Sequence, residues 1–287
     1  MAQRLQSNLS FSEKFSAHYA SKFKVGKNCP LRKQVEFSVK ENIKCKGFKI
    51  DPLGESGAEI ESGILQKYKG RLLVLASNEC AVHCRFCFRR NTKHKKIDDL
   101  PQKLAEILRK DKSIKEVILS GGDPLMLKHS ELQAFFSAIP KHLNIRIHSR
   151  VPIAMPAKFP PILQSIGSRL IFVVHVNHPN ELSKESKRFF ERLAQCKATI
   201  FNQSVLLKGV NDNAQTLAEL SEKLFSQGVL PYYLHSLDRV QGAAHFEVPL
   251  SKAKAIFKEL KELLPGYLVP KFVREVRGEK SKVWVFS

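Results

Sequence analysis

The chain of 287 residues is long enough for one large α/β domain or two small ones, and its 43% apolar residues suffice for a core. Its 48 basic and 27 acidic residues give a formal net charge of +21, which raises nucleic-acid binding as a hypothesis. The basic residues are spread along the chain and not gathered in one tail. We therefore expect no nucleic-acid partner, and no apolar run reaches the ~20 residues of a membrane span.

The N-terminal residues lack the apolar core of a secretion signal, so the sequence predicts a cytoplasmic protein with reduced thiols and no membrane contact. Residues 1–66 are predicted to form a mostly helical extension that packs on the rest of the chain. A helix is predicted over residues 11–20, where aromatic side chains share one face. Pro30 and the segment Asp51-Pro52-Leu53-Gly54-Glu55 divide the extension into short pieces.

Beyond residue 66 the pattern becomes an alternation of strands and helices with a repeat of roughly 30 residues, which is typical of βαβ units. Predicted strands cover residues 72–75, 117–120, 144–148, 170–176, 199–206 and 230–234. Predicted helices include residues 104–108, 132–139, 189–193, 217–224 and 256–263. The strands are almost continuously apolar, as strands covered on both faces are. Six such units predict a partial (βα)6 barrel over residues 67–266, with one side left open.

Three cysteines follow the first predicted strand of the alternation. Cys80, Cys84 and Cys87 are four and then three positions apart, and thiolates suit zinc and iron–sulfur clusters. Three ligands leave a metal position open, as catalytic centres do. A four-iron cluster is the favoured interpretation, and a zinc knuckle completed by His83 or His94 is the alternative. The other cysteines, Cys29, Cys45 and Cys196, have no motif spacing.

Polar residues gather where the predicted strands end, which is where parallel barrels place their sites. Gly121, Gly122 and Asp123 follow the second strand of the barrel, and the paired glycines allow a close approach of the backbone. The remaining polar residues at these ends are His148, Arg150, His175, His235 and Asp238. A single histidine in a strand is usually a core residue. A ring of polar groups at one end of an apolar sheet instead predicts a binding site.

Several of these segments resemble a known family. Residues 80–90 are similar to the cluster motif of radical S-adenosylmethionine enzymes. With residues 120–125, 148–153, 175–179, 203–212 and 231–235, they resemble the lysine 2,3-aminomutases over about residues 51–282. The short length and residues 267–282 resemble the bacterial branch that makes (R)-β-lysine for modification of elongation factor P.

The resemblance implies a radical S-adenosylmethionine barrel and three cofactors. Cys80, Cys84 and Cys87 would hold a [4Fe–4S] cluster whose open iron binds S-adenosylmethionine. Pyridoxal 5′-phosphate would hold the α-amine of lysine while the nitrogen migrates to the neighbouring carbon. Contacts to S-adenosylmethionine or pyridoxal phosphate are expected at Gly121, Gly122, Asp123, Arg150 and His175. An electron donor such as flavodoxin or ferredoxin is also implied. The oligomeric state is left open, a homo-oligomer included.

The resemblance also assigns roles to four further residues. Lys282 matches the lysine that attaches pyridoxal phosphate, so residues 267–287 would form a tail that closes the barrel mouth. Arg89 matches the arginine that binds the substrate carboxylate. Asp238 matches a carboxylate that receives the distal ammonium of lysine, and Glu275 stands where relatives place a second aspartate. The residues after Lys282 depart from the Lys-Thr-Pro-Leu pattern of relatives.

Three alternatives are distinguishable from this assignment. A radical enzyme acting on RNA would use the basic charge, yet no additional RNA-binding module is recognisable. An aminomutase for another amino acid would share both organic cofactors, but Asp238 and Glu275 favour a substrate with a distal cation. A non-catalytic protein with a structural metal would hold one zinc where the favoured interpretation requires about four irons.

Overall fold

The structure, a computed structural model, describes residues 11–26, 28–92 and 97–286, and one ten-stranded sheet forms its centre. The strands are β1 (Glu59–Glu61), β2 (Ile64–Leu65), β3 (Arg71–Ser77), β4 (Glu116–Gly121), β5 (Asn144–Ser149), β6 (Leu170–Val174), β7 (Thr199–Val205), β8 (Leu230–His235), β9 (Lys271–Arg274) and β10 (Val283–Trp284).

Helices connect and cover the strands. The α-helices are α1 (Ala17–Ala20), α2 (Pro30–Lys33), α3 (Leu100–Lys110), α4 (His129–Ala138), α5 (Val151–Ala154), α6 (Lys184–Gln195), α7 (Ala214–Phe225) and α8 (Leu250–Leu263). Short 3-10 helices cover Val39–Asn42, Glu55–Gly57, Pro124–Met126, Pro161–Ser165, Gly167–Arg169, Pro179–Glu181, Ala244–Phe246 and Gly266–Leu268.

The strands lie in the sheet in the order in which they occur in the chain. Strands β1, β2 and β3 are antiparallel, β3 to β9 are parallel, and β10 returns antiparallel to β9. No pairing joins the edge strands β1 and β10 within the described residues, so the sheet remains an open, partial barrel as predicted. The parallel strands β3 to β9 are connected by segments that contain the helices, because parallel strands need a crossover connection.

Alternate residues of the parallel strands face two different environments. Leu72 and Val74 of β3 and Val117 of β4 are fully buried in the main core cluster. Their neighbours Leu73 and Ile118 instead line a cavity on the inner face of the sheet. Because side chains alternate across a strand, each apolar strand contributes to both the core and the cavity.

The six predicted strands and the five predicted long helices are confirmed, with ends shifted by a few residues. The sequence did not predict β9, a seventh parallel strand, the strand β10, or the pair β1 and β2. The latter two precede residue 66 and belong to the sheet, although the sequence placed them in a helical extension. All four strands are two to four residues long, and β1 is exposed, so they form no apolar run that the sequence reveals.

The extension contains less helix than predicted. The helix predicted over residues 11–20 is wrong for residues 11–16, since α1 begins only at Ala17. The Ser16 side chain accepts a hydrogen bond from the Tyr19 amide and caps this short helix. Tyr19 itself is fully buried in the main core, which fixes the extension to the barrel. No helix of the described residues is both long and apolar enough to span a bilayer.

A buried ion cluster joins the extension to the cysteine loop. The Glu41 carboxylate accepts from Arg85 Nε at 2.8 Å and also pairs with Arg90 Nη2. All three side chains are almost completely buried, and the Phe11 ring lies 4.9 Å from the Arg85 guanidinium. Charges buried in this way are tolerated only when they are paired.

We expect Glu41→Gln to lower the free energy of unfolding by about 3 kcal/mol, because it leaves two buried guanidinium groups uncompensated. Urea denaturation under anaerobic, reducing conditions measures the change. Glu36→Gln is the matched control: its pair with Arg32 spans 3.6 Å on an exposed surface, so we expect a change within about 0.5 kcal/mol. Equal effects of the two substitutions would contradict a structural role of the buried cluster.

Candidate active site

One cavity of about 510 Å³ lies on the inner face of the sheet, a size that encloses a small-molecule ligand. The site residues that the family resemblance implies all line it. These residues are Cys80, Cys84, Cys87, Arg89, Gly121, Gly122, Asp123, Arg150, His175, Asp238, Glu275 and Lys282. They converge because the parallel strands end at the same edge of the sheet and each strand is followed by a polar loop.

The cysteine loop is a compact turn after β3. The Cys87 amide donates to the Cys84 carbonyl at 3.0 Å, and the Arg85 amide donates to the Gln34 carbonyl of the extension at 2.8 Å. Burial and the neighbouring Cys87 raise the pKa of Cys80, while burial and Cys84 raise the pKa of Cys87 to about 11. Both thiols therefore keep their protons until a metal binds, because a cysteine that binds a metal does so as a thiolate.

The three cysteines line the same cavity, as ligands of one iron–sulfur cluster would. Within the described ranges, no three histidine, cysteine or acidic side chains are grouped as a metal ion requires. In a four-iron cluster each thiolate binds a different iron, so the sulfurs need not converge on one point. His83 is engaged elsewhere, because its Nδ1 lies 2.8 Å from the Ser12 carbonyl and its ring stacks on Phe11. His94, the other candidate zinc ligand, lies outside the described residues.

Arg150 connects the cysteine loop to the extension. Its Nη1 donates to Cys84 Sγ at 2.7 Å, and its Nη2 donates to Gln34 Oε1 at 2.6 Å and Glu181 Oε2 at 2.8 Å. Burial disfavours the charge, but Cys84 and Glu181 outweigh it and raise the pKa of Arg150. Arg150 therefore stays charged in direct contact with the Cys84 sulfur. Its expected contact with an organic cofactor stays a prediction.

The glycine pair permits a close approach between two loops. Gly121 has a φ of 100°, and a Cβ there would lie 2.7 Å from the Ser77 carbonyl oxygen. The Gly122 and Asp123 amides donate to the carbonyls of Ser77 and Glu79, at 2.5 and 2.6 Å. Any side chain at the two glycine positions would push the loop away from the backbone that leads into Cys80. The glycines thus shape the cavity wall, and their contact with a cofactor stays a prediction.

The Asp123 carboxylate is occupied by hydrogen bonds within the protein. Its carboxylate accepts from Ser149 Oγ at 2.8 Å and from the Arg150 amide at 2.7 Å, with further bonds from the amides of Leu125 and Val151. These contacts hold the end of β5 against the loop after β4. The geometry gives Asp123 a structural task, and cofactor binding by this residue stays a prediction.

Three histidines enter the cavity as neutral rings. Burial lowers the pKa of His148 well below its usual value and lowers those of His175 and His235 to about 3. The Gln203 side-chain nitrogen lies 2.8 Å from His175 Nε2 and 3.3 Å from His148 Nδ1. The buried Nε2 atoms of His148 and His235 have no hydrogen-bond partner among the described residues. Buried orphan nitrogens of this kind fit a bound polar ligand.

A chain of alternating charges runs along one wall of the cavity. Arg89 donates to Glu55 through Nε at 2.6 Å and Nη2 at 2.8 Å, and Glu55 Oε1 lies 2.9 Å from Lys67 Nζ. Lys67 lies 3.4 Å from Glu275, whose other oxygen accepts from Lys282 Nζ at 2.7 Å. Burial opposes ionisation of Glu275, but Lys282 and Lys67 outweigh it and lower its pKa to about 2.

The sequence missed Glu55 and Lys67 as site residues. Glu55 stands in a segment interpreted only as a break between helices, and Lys67 is one of many lysines. Further cationic and aromatic side chains that the sequence missed also line the cavity: Tyr68, Arg71, Arg146, Tyr232, Tyr233, Lys271 and Trp284. Arg146 could have been identified from the sequence as a residue of interest, because an arginine inside a short, largely buried strand needs a partner. It pairs with Glu116, with Nε 3.2 Å from Oε1.

Asp238 differs from the other acids of the cavity. Burial and then the charge of Glu275 raise its pKa to about 7, against the opposing effect of Lys282 and Lys67. Among the described residues no side chain donates a hydrogen bond to this carboxylate or pairs with it at salt-bridge distance. An uncompensated carboxylate in a cavity is a site for a cationic group of a ligand.

Comparisons with known proteins agree with this geometry. A family model described as "4Fe-4S single cluster domain" matches residues 69–150. An L-lysine 2,3-aminomutase of Haemophilus influenzae is 44% identical over 266 residues, covering 88% of this chain and 78% of the relative. That of Escherichia coli K12 is 44% identical over 263 residues, covering 88% and 77%. A radical SAM methyltransferase from Sphaerobacter thermophilus shares the fold, with a TM-score of 0.51, 15% identity and coverage of 74% and 68%.

We expect Cys84→Ala to lose most of its bound iron after anaerobic reconstitution, together with the absorption near about 400 nm that iron–sulfur clusters give. Iron analysis should show about four irons per chain in the unchanged protein. Cys196→Ala is the control, because Cys196 is buried beside the Arg192 carbonyl, outside the cavity. A variant Cys84→Ala that retained the full iron content would remove this cysteine from the ligand set.

Proposed function

Because the chain belongs to the lysine 2,3-aminomutase family of radical S-adenosylmethionine enzymes, we propose that it converts L-lysine to (R)-β-lysine. One observation carries this proposal: the three cysteines and Lys282 line a single cavity although about 200 residues separate them in the chain. A metal-binding protein without the aminomutase reaction would have no use for a lysine held at that place.

The cofactors fit the residues around the cavity. When bound, the cluster, S-adenosylmethionine and pyridoxal phosphate supply the radical and the electron delocalisation that an amino shift between neighbouring carbons needs. Cys80, Cys84 and Cys87 would hold the cluster, and Lys282 would attach pyridoxal phosphate through its amine. Arg71 and Lys271 also line the cavity and offer positive charge to a phosphate group.

The substrate would lie between Arg89 and the acids near Lys282. Arg89 offers a planar guanidinium to the α-carboxylate. Glu275 is already paired with Lys67 and Lys282, so Asp238 supplies the uncompensated negative charge for the distal ammonium. A substrate with a carboxylate in that place, such as glutamate, would meet like charge. This charge pattern supports lysine over an amino acid with an acidic side chain.

Further proposals concern the surroundings of the reaction. We propose that the product serves modification of elongation factor P and that flavodoxin or ferredoxin in the cytoplasm supplies the electron. The division into an extension (1–66), a barrel (67–266) and a cofactor-lysine tail (267–287) is likewise proposed. The pairing of β10 with β9 beside the cavity supports the last part of that division.

The direct test is anaerobic incubation of the reconstituted protein with L-lysine, dithionite, S-adenosylmethionine and pyridoxal phosphate, followed by chiral analysis of the amino acids. We expect (R)-β-lysine. Its absence from a preparation that holds about four irons and binds pyridoxal phosphate would overturn the proposal. Co-purified nucleic acid together with no bound pyridoxal phosphate would favour an enzyme that acts on RNA.

Lys282→Ala should abolish β-lysine formation while the iron content stays unchanged, since Lys282 is not one of the proposed cluster ligands. Borohydride reduction followed by mass spectrometry should find pyridoxal phosphate attached to residue 282 in the unchanged protein and at no lysine in the variant. Lys280→Ala, which alters an exposed lysine of the same segment, serves as the control. β-Lysine production by Lys282→Ala at the unchanged rate would show that another residue holds the cofactor.

The affinity for lysine should rise with pH through the titration of Asp238. Its pKa is raised to about 7, so the carboxylate is protonated below this pH and binds an ammonium group only above it. We expect kcat/KM for L-lysine to increase between pH 6 and 8, within about one unit of that pKa. In Asp238→Asn this rise should disappear and kcat/KM should be low throughout. An unchanged pH profile in the variant would show that another group controls binding.

A further inference from the structure

The Glu55 carboxylate binds one edge of the Arg89 guanidinium, and this contact determines which edge of Arg89 can bind a substrate. Both oxygens of the Glu55 carboxylate are used, one by Nε at 2.6 Å and the other by Nη2 at 2.8 Å. Arg89 Nη1 donates on its other side to Ser120 Oγ and the Gly121 carbonyl, each at 3.3 Å. The bidentate contact uses the Nε–Nη2 edge, so a second carboxylate would bind the Nη1–Nη2 edge, where the present Nη1 contacts are long at 3.3 Å.

The loop that carries Glu55 is fixed independently of Arg89. The Asp51 carboxylate accepts from the Glu55 amide at 3.1 Å and from the Ser56 amide at 3.4 Å. Gly54 has a φ of 64° and lies against Arg277, whose Nε would be 2.6 Å from a Cβ at position 54. The loop is therefore held both by its own side chains and by the segment between Glu275 and Lys282.

We propose that Glu55 is a positioning residue of the substrate site, which orients Arg89 so that its remaining edge receives the α-carboxylate of the amino acid. This inference rests on the proposed function. Glu55 also contacts Lys67 at 2.9 Å, and Lys67 contacts Glu275. The same carboxylate thus sets the distance between the arginine and the acids near Lys282.

The opposite role for Glu55 is that of a competitor, which a substrate carboxylate would displace from Arg89. The contacts favour positioning. Glu55 is 6% exposed, and burial of its carboxylate is outweighed by Arg89 and Lys67, which lower its pKa. Displacement would leave a buried carboxylate with Lys67 alone, and such a loss is costly. The two roles predict opposite changes in affinity on removal of the charge.

The test compares two ligands in Glu55→Gln. L-Lysine carries the α-carboxylate, whereas 1,5-diaminopentane has the same carbon chain and amines without it. Each is titrated into anaerobic protein loaded with cluster and pyridoxal phosphate, without S-adenosylmethionine or reductant, and the pyridoxal phosphate absorbance is followed. We expect the Kd of lysine to rise about tenfold, as for an impaired hydrogen bond to a charged group. The Kd of 1,5-diaminopentane should stay unchanged.

The same selectivity should appear in turnover, where KM for lysine rises and kcat changes far less. Glu55→Asp keeps the charge on a shorter side chain, and we expect a smaller loss in the same direction. This variant also serves as the test if Glu55→Gln fails to retain iron. Glu61→Gln is the matched control, because Glu61 lies in β1 and pairs with Lys103 at 3.3 Å on the exposed surface.

Three results would overturn the inference. An unchanged Kd for lysine would show that Arg89 needs no orientation by Glu55. A lower Kd would show that Glu55 competes with the substrate. Equal losses for lysine and 1,5-diaminopentane would show a general disturbance of the cavity. Failure of the proposed function is a separate result, since it would appear as absence of β-lysine from the unchanged protein.

Discussion

The constraint on which the site depends is that a charge buried in a protein needs an opposite charge beside it. Arg85 and Arg90 of the cysteine loop are neutralised by Glu41, and Arg150 beside Cys84 is neutralised by Glu181. The extension supplies Glu41 from one of its turns, together with Gln34 and Tyr19 around Arg150. The basic loop can therefore be buried only because a preceding segment, without a large core of its own, covers it with acids and polar groups.

The fold was largely predictable because its central strands are covered on both faces and therefore appear in the sequence as apolar runs. The position of the site followed from the rule that parallel strands end at one edge, and the site residues implied by the resemblance line the cavity, whereas the alternative zinc ligand His83 does not. Strands β1, β2, β9 and β10 were not predicted because they are two to four residues long. Their pairing is decided by neighbours in the sheet, which local sequence does not specify.

The ion pairs of the site could not be predicted, because their partners are far apart in the chain. Glu55 and Arg89 are 34 residues apart, and Lys67 and Glu275 are 208 residues apart. In a chain with so many basic residues, the sequence alone cannot show which few acids meet which few cations. Asp238 was named from the resemblance, but its raised pKa arises from burial and from the charge of Glu275, and only the folded arrangement shows that.

The cavity takes residues from both edges of the open sheet. The loop with Glu55 leads into β1, while Glu275 and Lys282 lie in the connection between β9 and β10, so opposite edges supply one wall of the cavity. A chain with its central strands assembled but with either border unpaired would lack part of this wall. The site is therefore complete only when both borders of the sheet have formed.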